Sequence, residues 1–70
     1  MHPGEIFGAN VKRERERLKL TQEELGHSCG LNMTEVSRLE KARRDPRLGT
    51  IVKLARGLGV PPMQLLTGIP

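Results

Sequence analysis

Seventy residues make one domain at most, and a chain of that size buries only about 60% of the surface its unfolded form exposes. With 36% apolar residues, one aromatic and a net charge of +4 from 12 basic and 8 acidic side chains, it has no apolar run near the roughly 20 residues of a membrane span. The single cysteine, Cys29, excludes an internal disulfide. Stability must therefore come from an aliphatic core, as expected in a reducing, cytoplasmic setting. The opening residues lack the cationic and apolar segments of a signal peptide. No alternating valine-rich or aromatic run reads as a strand, so the expected fold is all-α, a bundle of five short helices.

The first helix is predicted over residues 5–18. Phe7, Val11 and Leu18 fall on one stripe. Lys12, Arg13, Glu16 and Arg17 form a solvated face of mixed sign. Glu14 and Arg15 interrupt the stripe at its middle turn, and a charge there needs a partner if it is even partly buried.

The second helix starts at Thr21, where Thr-Gln-Glu-Glu spells a capping box ending at Glu24. Leu25 and Cys29 follow one turn apart, and Gly30 suits a stop. Cys29 reads as a small core residue, because no basic side chain one turn away would activate its thiol. The third helix starts at once: Asn32 is a good N-cap and Glu35 completes a second box. Two capped starts separated only by Gly30 and Leu31 have the spacing of a helix-turn-helix. Gly26 provides the small residue that a close crossing of two such helices needs, at about 1 kcal/mol of helix propensity.

On a helical wheel, Met33, Ser37, Lys41, Thr34 and Arg38 occupy one arc of about 140°. Glu35, Val36 and Leu39 occupy the opposite side. The segment after this helix, with Lys41, Arg43, Arg44 and Arg47, is strongly basic. A fourth helix is predicted over residues 48–58, with Leu48, Ile51, Leu54, Ala55 and Leu58 on one face. Gly57 and Gly59 weaken its end. Pro61-Pro62 then opens a short fifth helix over residues 62–66. Residues 1–4 and 67–70 are expected to be loose ends of one domain spanning 1–70.

An α-helix fits the major groove of B-DNA, where Arg, Ser and Thr read base edges and apolar groups meet the thymine methyl. A basic segment beside such a helix suits phosphate contacts and counterion release. Catalytic chemistry is not expected. His27 and Ser28 point about 100° apart on a helix and cannot form a relay. His27 and Cys29 are about 200° apart and cannot share a metal. No glycine-rich phosphate loop is present, and no cofactor is expected.

The run from Thr21 to Ala42 resembles the Cro/cI-type (XRE-family) helix-turn-helix of bacterial and phage transcriptional regulators. The resemblance continues through Asp45-Pro46 and Ile51 to Val60, and spans about residues 7–66. It implies a lambda-repressor-like fold and sequence-specific binding to duplex DNA, usually as a homodimer on a palindrome. It further implies that Gln22 touches DNA at the groove edge and that Met33, Thr34 and Arg38 contact bases, with Asn32 and Ser37 beside them. Arg43, Arg44 and Arg47 match the part that touches phosphates or the minor groove, and Arg15 and Glu40 match a charged pair tying the first helix to the third. Gly26, Gly49 and Gly57 depart from the family's helix formers, and Arg47 and Pro61 lack its capping hydroxyls. Met63 and Ile69 have no evident core duty and are expected at a dimer surface. The competing reading is an antitoxin or other interaction module of the same fold that binds a partner protein.

Overall fold

The computed structural model describes residues 2–70. Its helices are α1 (Pro3–Arg17), α2 (Gln22–Cys29), α3 (Met33–Glu40) and α4 (Leu48–Leu58), followed by a 3-10 helix, Pro62–Leu66. No strand occurs among the described residues. Both predicted capping boxes form. Thr21 Oγ1 accepts from the Glu24 amide at 3.0 Å, and the Glu24 carboxylate accepts from the Thr21 N–H at 2.8 Å. Asn32 Oδ1 accepts from the Glu35 amide at 2.8 Å, and Glu35 reaches back at 3.2 Å. Arg47 and Pro61 make no side-chain cap, as their residue types dictate.

Four details differ from expectation. First, the fifth helix is a 3-10 turn, closed by Gln64 N–H to Pro61 O and Thr67 N–H to Gln64 O. A five-residue segment between a proline pair and Gly68 is too short to settle into α geometry. Second, α1 begins at Pro3, because a proline costs nothing in the first turn. Third, the ends are tied down. Pro3 and Gly4 are helical, the Asn10 side-chain amide donates to Leu65 O at 2.8 Å and Thr67 O at 2.9 Å, and Ile69 packs on the core. Of the expected loose residues, Met1 lies outside the described ones. Fourth, Leu48 is 77% exposed. It points only about 20° around the wheel from the buried Ala55, but it sits at the first position of α4, where its direction alone does not bring it cover.

That core contains Phe7, Val11, Leu25, Val36, Leu39, Leu54, Leu58 and Leu65, with Cys29 and Ala55 filling between them. Two glycines let backbones meet. A Cβ at Gly8 would stand 2.5 Å from Leu39 O and 2.7 Å from Glu40 O, so α1 crosses directly over the end of α3. A Cβ at Gly26 would stand 2.7 Å from Leu31 O. The small residue at 26 thus serves the turn itself, which folds back onto α2.

All four α-helices stop in the same way. Leu20, Leu31, Arg43 and Val60 donate back to Arg15, Gly26, Arg38 and Ala55, at 2.8 to 3.1 Å. The residue before each donor is left-handed: Lys19 (φ 59°), Gly30 (74°), Ala42 (58°) and Gly59 (70°). Two of these four carry a Cβ, which costs about 1–2 kcal/mol in this conformation. Ala42→Gly should therefore stabilise the protein by about 0.5–1 kcal/mol after the greater freedom of glycine in the unfolded chain is subtracted. Gly8→Ala should destabilise it by about 1–3 kcal/mol through overpacking. Urea denaturation of both variants checks the opposite signs.

Glu14 is buried on the inner side of α1. Its carboxylate accepts from Arg17 Nε at 2.9 Å and from the Gln64 amide at 3.3 Å, and Arg13 Nε lies 3.9 Å away. The Arg17 hydrogen bond outweighs burial and holds the acid below its ordinary value of 4.5. A carboxylate depressed on folding contributes stability that is complete above its unfolded pKa and disappears as pH falls through the folded one. Stability should therefore drop below about pH 4.5, and Glu14→Gln should flatten that drop. Denaturant midpoints measured from pH 7 to pH 3 test this.

Candidate nucleic-acid interface

Helix α3 is held from behind and left open in front. Val36 and Leu39 are buried. Met33, Thr34, Arg38 and Lys41 are exposed, and Ser37 is half-buried. Met33, an apolar side chain at the start of the helix, is 50% exposed. The wheel reading holds for the buried Val36 and Leu39 and for the exposed Met33, Thr34, Arg38 and Lys41, while Ser37 and Glu35, assigned to opposite faces, are both half-buried.

The polar anchor is at the far end of α3. The Glu40 side chain is 3% exposed and the Arg15 side chain 12%. Arg15 Nε donates to Glu40 Oε2 at 2.7 Å and its Nη2 to Oε1 at 3.1 Å. The third guanidinium nitrogen, Nη1, donates to Leu20 O at 2.8 Å, in the turn after α1. One planar group thus links α1, the turn after it and the C-terminal end of α3. The bond to Glu40 pushes the Arg15 pKa further up.

The structure brings seven of the ten expected site residues together. Gln22, Met33, Thr34, Ser37, Arg38, Lys41 and Arg43 line one open, shallow groove. They come from three places: the first residue of α2, the outer face of α3 and the segment after it. The tight stop at Ala42 turns the chain so that Arg43 joins this surface. Arg44 and Arg47 do not. They line a separate hollow with Glu35, Leu39, Asp45, Pro46 and Thr50. Asn32 is exposed, but its side-chain oxygen is engaged in capping α3.

One link was not foreseen from the sequence. Gln22 Nε2 donates to Glu40 Oε1 at 3.0 Å. The two residues are 18 positions apart, on different helices, and no periodicity marks such a pair. Gln22 is correspondingly half-buried rather than free. No helix is long and apolar enough to cross a membrane, and no cluster of three metal-ligating side chains occurs, among the described residues.

Removing Arg15 would leave the Glu40 carboxylate buried and short of partners. Arg15→Ala should cost about 3 kcal/mol, in the range for breaking a buried pair. A compatible apolar pair, Arg15→Met with Glu40→Leu, should recover most of that loss. Thermal melts of the three proteins check the ordering.

Residues 11–65 match the family described as "Helix-turn-helix". An uncharacterised HTH-type transcriptional regulator of Sinorhizobium fredii, y4dJ, is 39% identical over 62 residues, covering 89% of this chain and 80% of the relative. The crystal structure of the restriction-modification controller protein C.AhdI from Aeromonas hydrophila superposes with a TM-score of 0.86 at 32% identity, over 89% of this chain and 94% of that one. The P22 c2 repressor, solved with a synthetic operator, superposes with a TM-score of 0.82 at 27% identity, over 89% and 94%.

Proposed function

Because the chain belongs to the helix-turn-helix family, we propose that it binds duplex DNA at a specific sequence and regulates transcription, inserting α3 into the major groove. The observation that carries this reading is the groove shared by Gln22, the outer face of α3 and Arg43. A helix with a packed back and an exposed front of Met, Thr, Ser and Arg matches what base edges present. Arg38 stands on that front and is assigned to base contact. Lys41 and Arg43 flank it and are assigned to phosphates. Arg44 and Arg47, on the neighbouring hollow, are assigned to backbone or minor-groove contact. The whole chain acts as one DNA-binding unit in the cytoplasm.

Homodimeric binding to a palindrome follows from the small readout. One recognition helix of eight residues reads few base pairs, and two copies double the count with a fixed half-site spacing. Of the two residues expected at the dimer surface, Ile69 packs on its own core. Met63 is 77% exposed and is the one retained for that surface. Sedimentation of the protein with and without a selected site should show two chains per duplex; a single bound chain would remove the dimer from this reading.

The test of the reading itself is selection of bound duplexes from a random pool. It should enrich one motif with two-fold symmetry. Failure to enrich any sequence, with binding no better than to heparin, would overturn it. On the enriched site, Arg38→Ala should cost about 1–3 kcal/mol and relax the preference at one position. Arg43→Ala should weaken binding alike on every sequence and lower the salt slope by about one.

A further inference from the structure

Glu40 has two jobs that differ in kind. Through Arg15 it fastens α3 to α1. Through Gln22 it reaches the binding groove. An ionised carboxylate only accepts hydrogen bonds, and both Glu40 oxygens already take N–H groups from Arg15. A glutamine amide has two ends, and only its nitrogen end donates. The sense of the Gln22 amide is therefore decided by chemistry: Nε2 must turn inward to Glu40. One N–H and the carbonyl Oε1 are then left for the groove.

We infer that Glu40 is a positioning residue for DNA binding, holding the Gln22 side chain so that it offers the duplex one N–H and one carbonyl in a fixed orientation. This rests on the DNA-binding reading above. Without Glu40 the Gln22 amide is free to rotate and flip, and two N–H groups or none can point outward. With it, the rotamer and the flip are both set before DNA arrives, so less side-chain freedom is lost on binding. The buried pair with Arg15 is what makes the device stiff. A carboxylate on an exposed, mobile side chain would follow the glutamine; this one is 3% exposed and held through both oxygens. The group that takes the remaining N–H is an acceptor, either a base edge such as purine N7 or a phosphate oxygen.

A double-mutant cycle separates this role from simple support of the fold. Wild type, Gln22→Ala, Glu40→Gln and the double variant are titrated on the selected site and on its single base-pair variants. Gln22→Ala should lower affinity roughly three- to tenfold, the range of one hydrogen bond. Glu40→Gln should lower it at least as much. The two losses should be strongly sub-additive, because without Glu40 the glutamine is no longer placed. Any effect of Glu40 on the seating of α3 appears in both backgrounds and cancels from the cycle. A loss confined to one base pair identifies a base edge as the acceptor; a loss equal on all sequences identifies a phosphate. Both support the inference when they couple to Glu40. Additive losses, or a Gln22→Ala variant that binds like wild type, overturn it.

A second measurement needs no substitution at Glu40 and so survives a variant that fails to fold. The Gln22 side-chain amide is followed by NMR in the free protein and in the complex. One of its two protons should be hydrogen-bonded and protected from exchange in both states. A Gln22 amide that leaves Glu40 when DNA binds overturns the inference. If wild type binds no duplex specifically, it is the DNA-binding reading that fails, and the amide's bond to Glu40 in the free protein is still measured.

Discussion

A helix that meets another molecule with one side can be fixed only from the other. For α3 that support is narrow: two buried aliphatic side chains, Val36 and Leu39, and one charged group, Glu40. Aliphatic packing alone sets a distance but tolerates some rotation. The Arg15–Glu40 pair adds direction, because a guanidinium and a carboxylate meet in one plane. Its net contribution to stability is small, since desolvating two charges offsets most of their attraction. Its contribution is to orientation, and that is the quantity the base-reading role proposed for α3 needs.

The backbone contacts around α3 belong to the same support. Gly8 lets α1 lie against the carbonyls of Leu39 and Glu40, and Gly26 lets the Leu31 carbonyl close on α2. Both approaches involve main chain on the facing side, which cannot move aside as a side-chain end can. Helix α3 is therefore seated at its start by the turn and at its end by α1. Between those two points its outward side chains are held at fixed heights above the rest of the molecule.

Much of this was legible in the sequence. The two capping boxes placed the starts of α2 and α3 to the residue, because cap chemistry is local and the side chains that satisfy the first amides lie within three positions. The division of α3 into two faces followed from periodicity. The Arg15–Glu40 pair came from family resemblance and from the oddity of charges on an apolar stripe, which says that a partner exists without saying which. What stayed hidden shares a different character. The Gln22–Glu40 bond, the Asn10 clamp on Leu65 and Thr67 and the Glu14–Gln64 contact join distant residues with no pattern between them. The role of Gly8 was invisible because, unlike Gly26, it lies outside any motif that marks a close approach. Lys19 and Ala42 at two of the four helix stops broke the rule that marked Gly30 and Gly59. Leu48 misled because periodicity assigns a direction on the wheel and says nothing about whether anything lies in that direction.

The wall that α2 and α4 share has one more property. Gly57 faces the Cys29 sulfur so closely that a single added methyl would collide with it, and burial raises the thiol's pKa. Labelling of this one sulfhydryl should therefore be slow while α2 and α4 stay packed and quicken as they loosen. The thiol is thus a built-in reporter of how firmly α2, whose first residue is Gln22, is backed by the rest of the bundle.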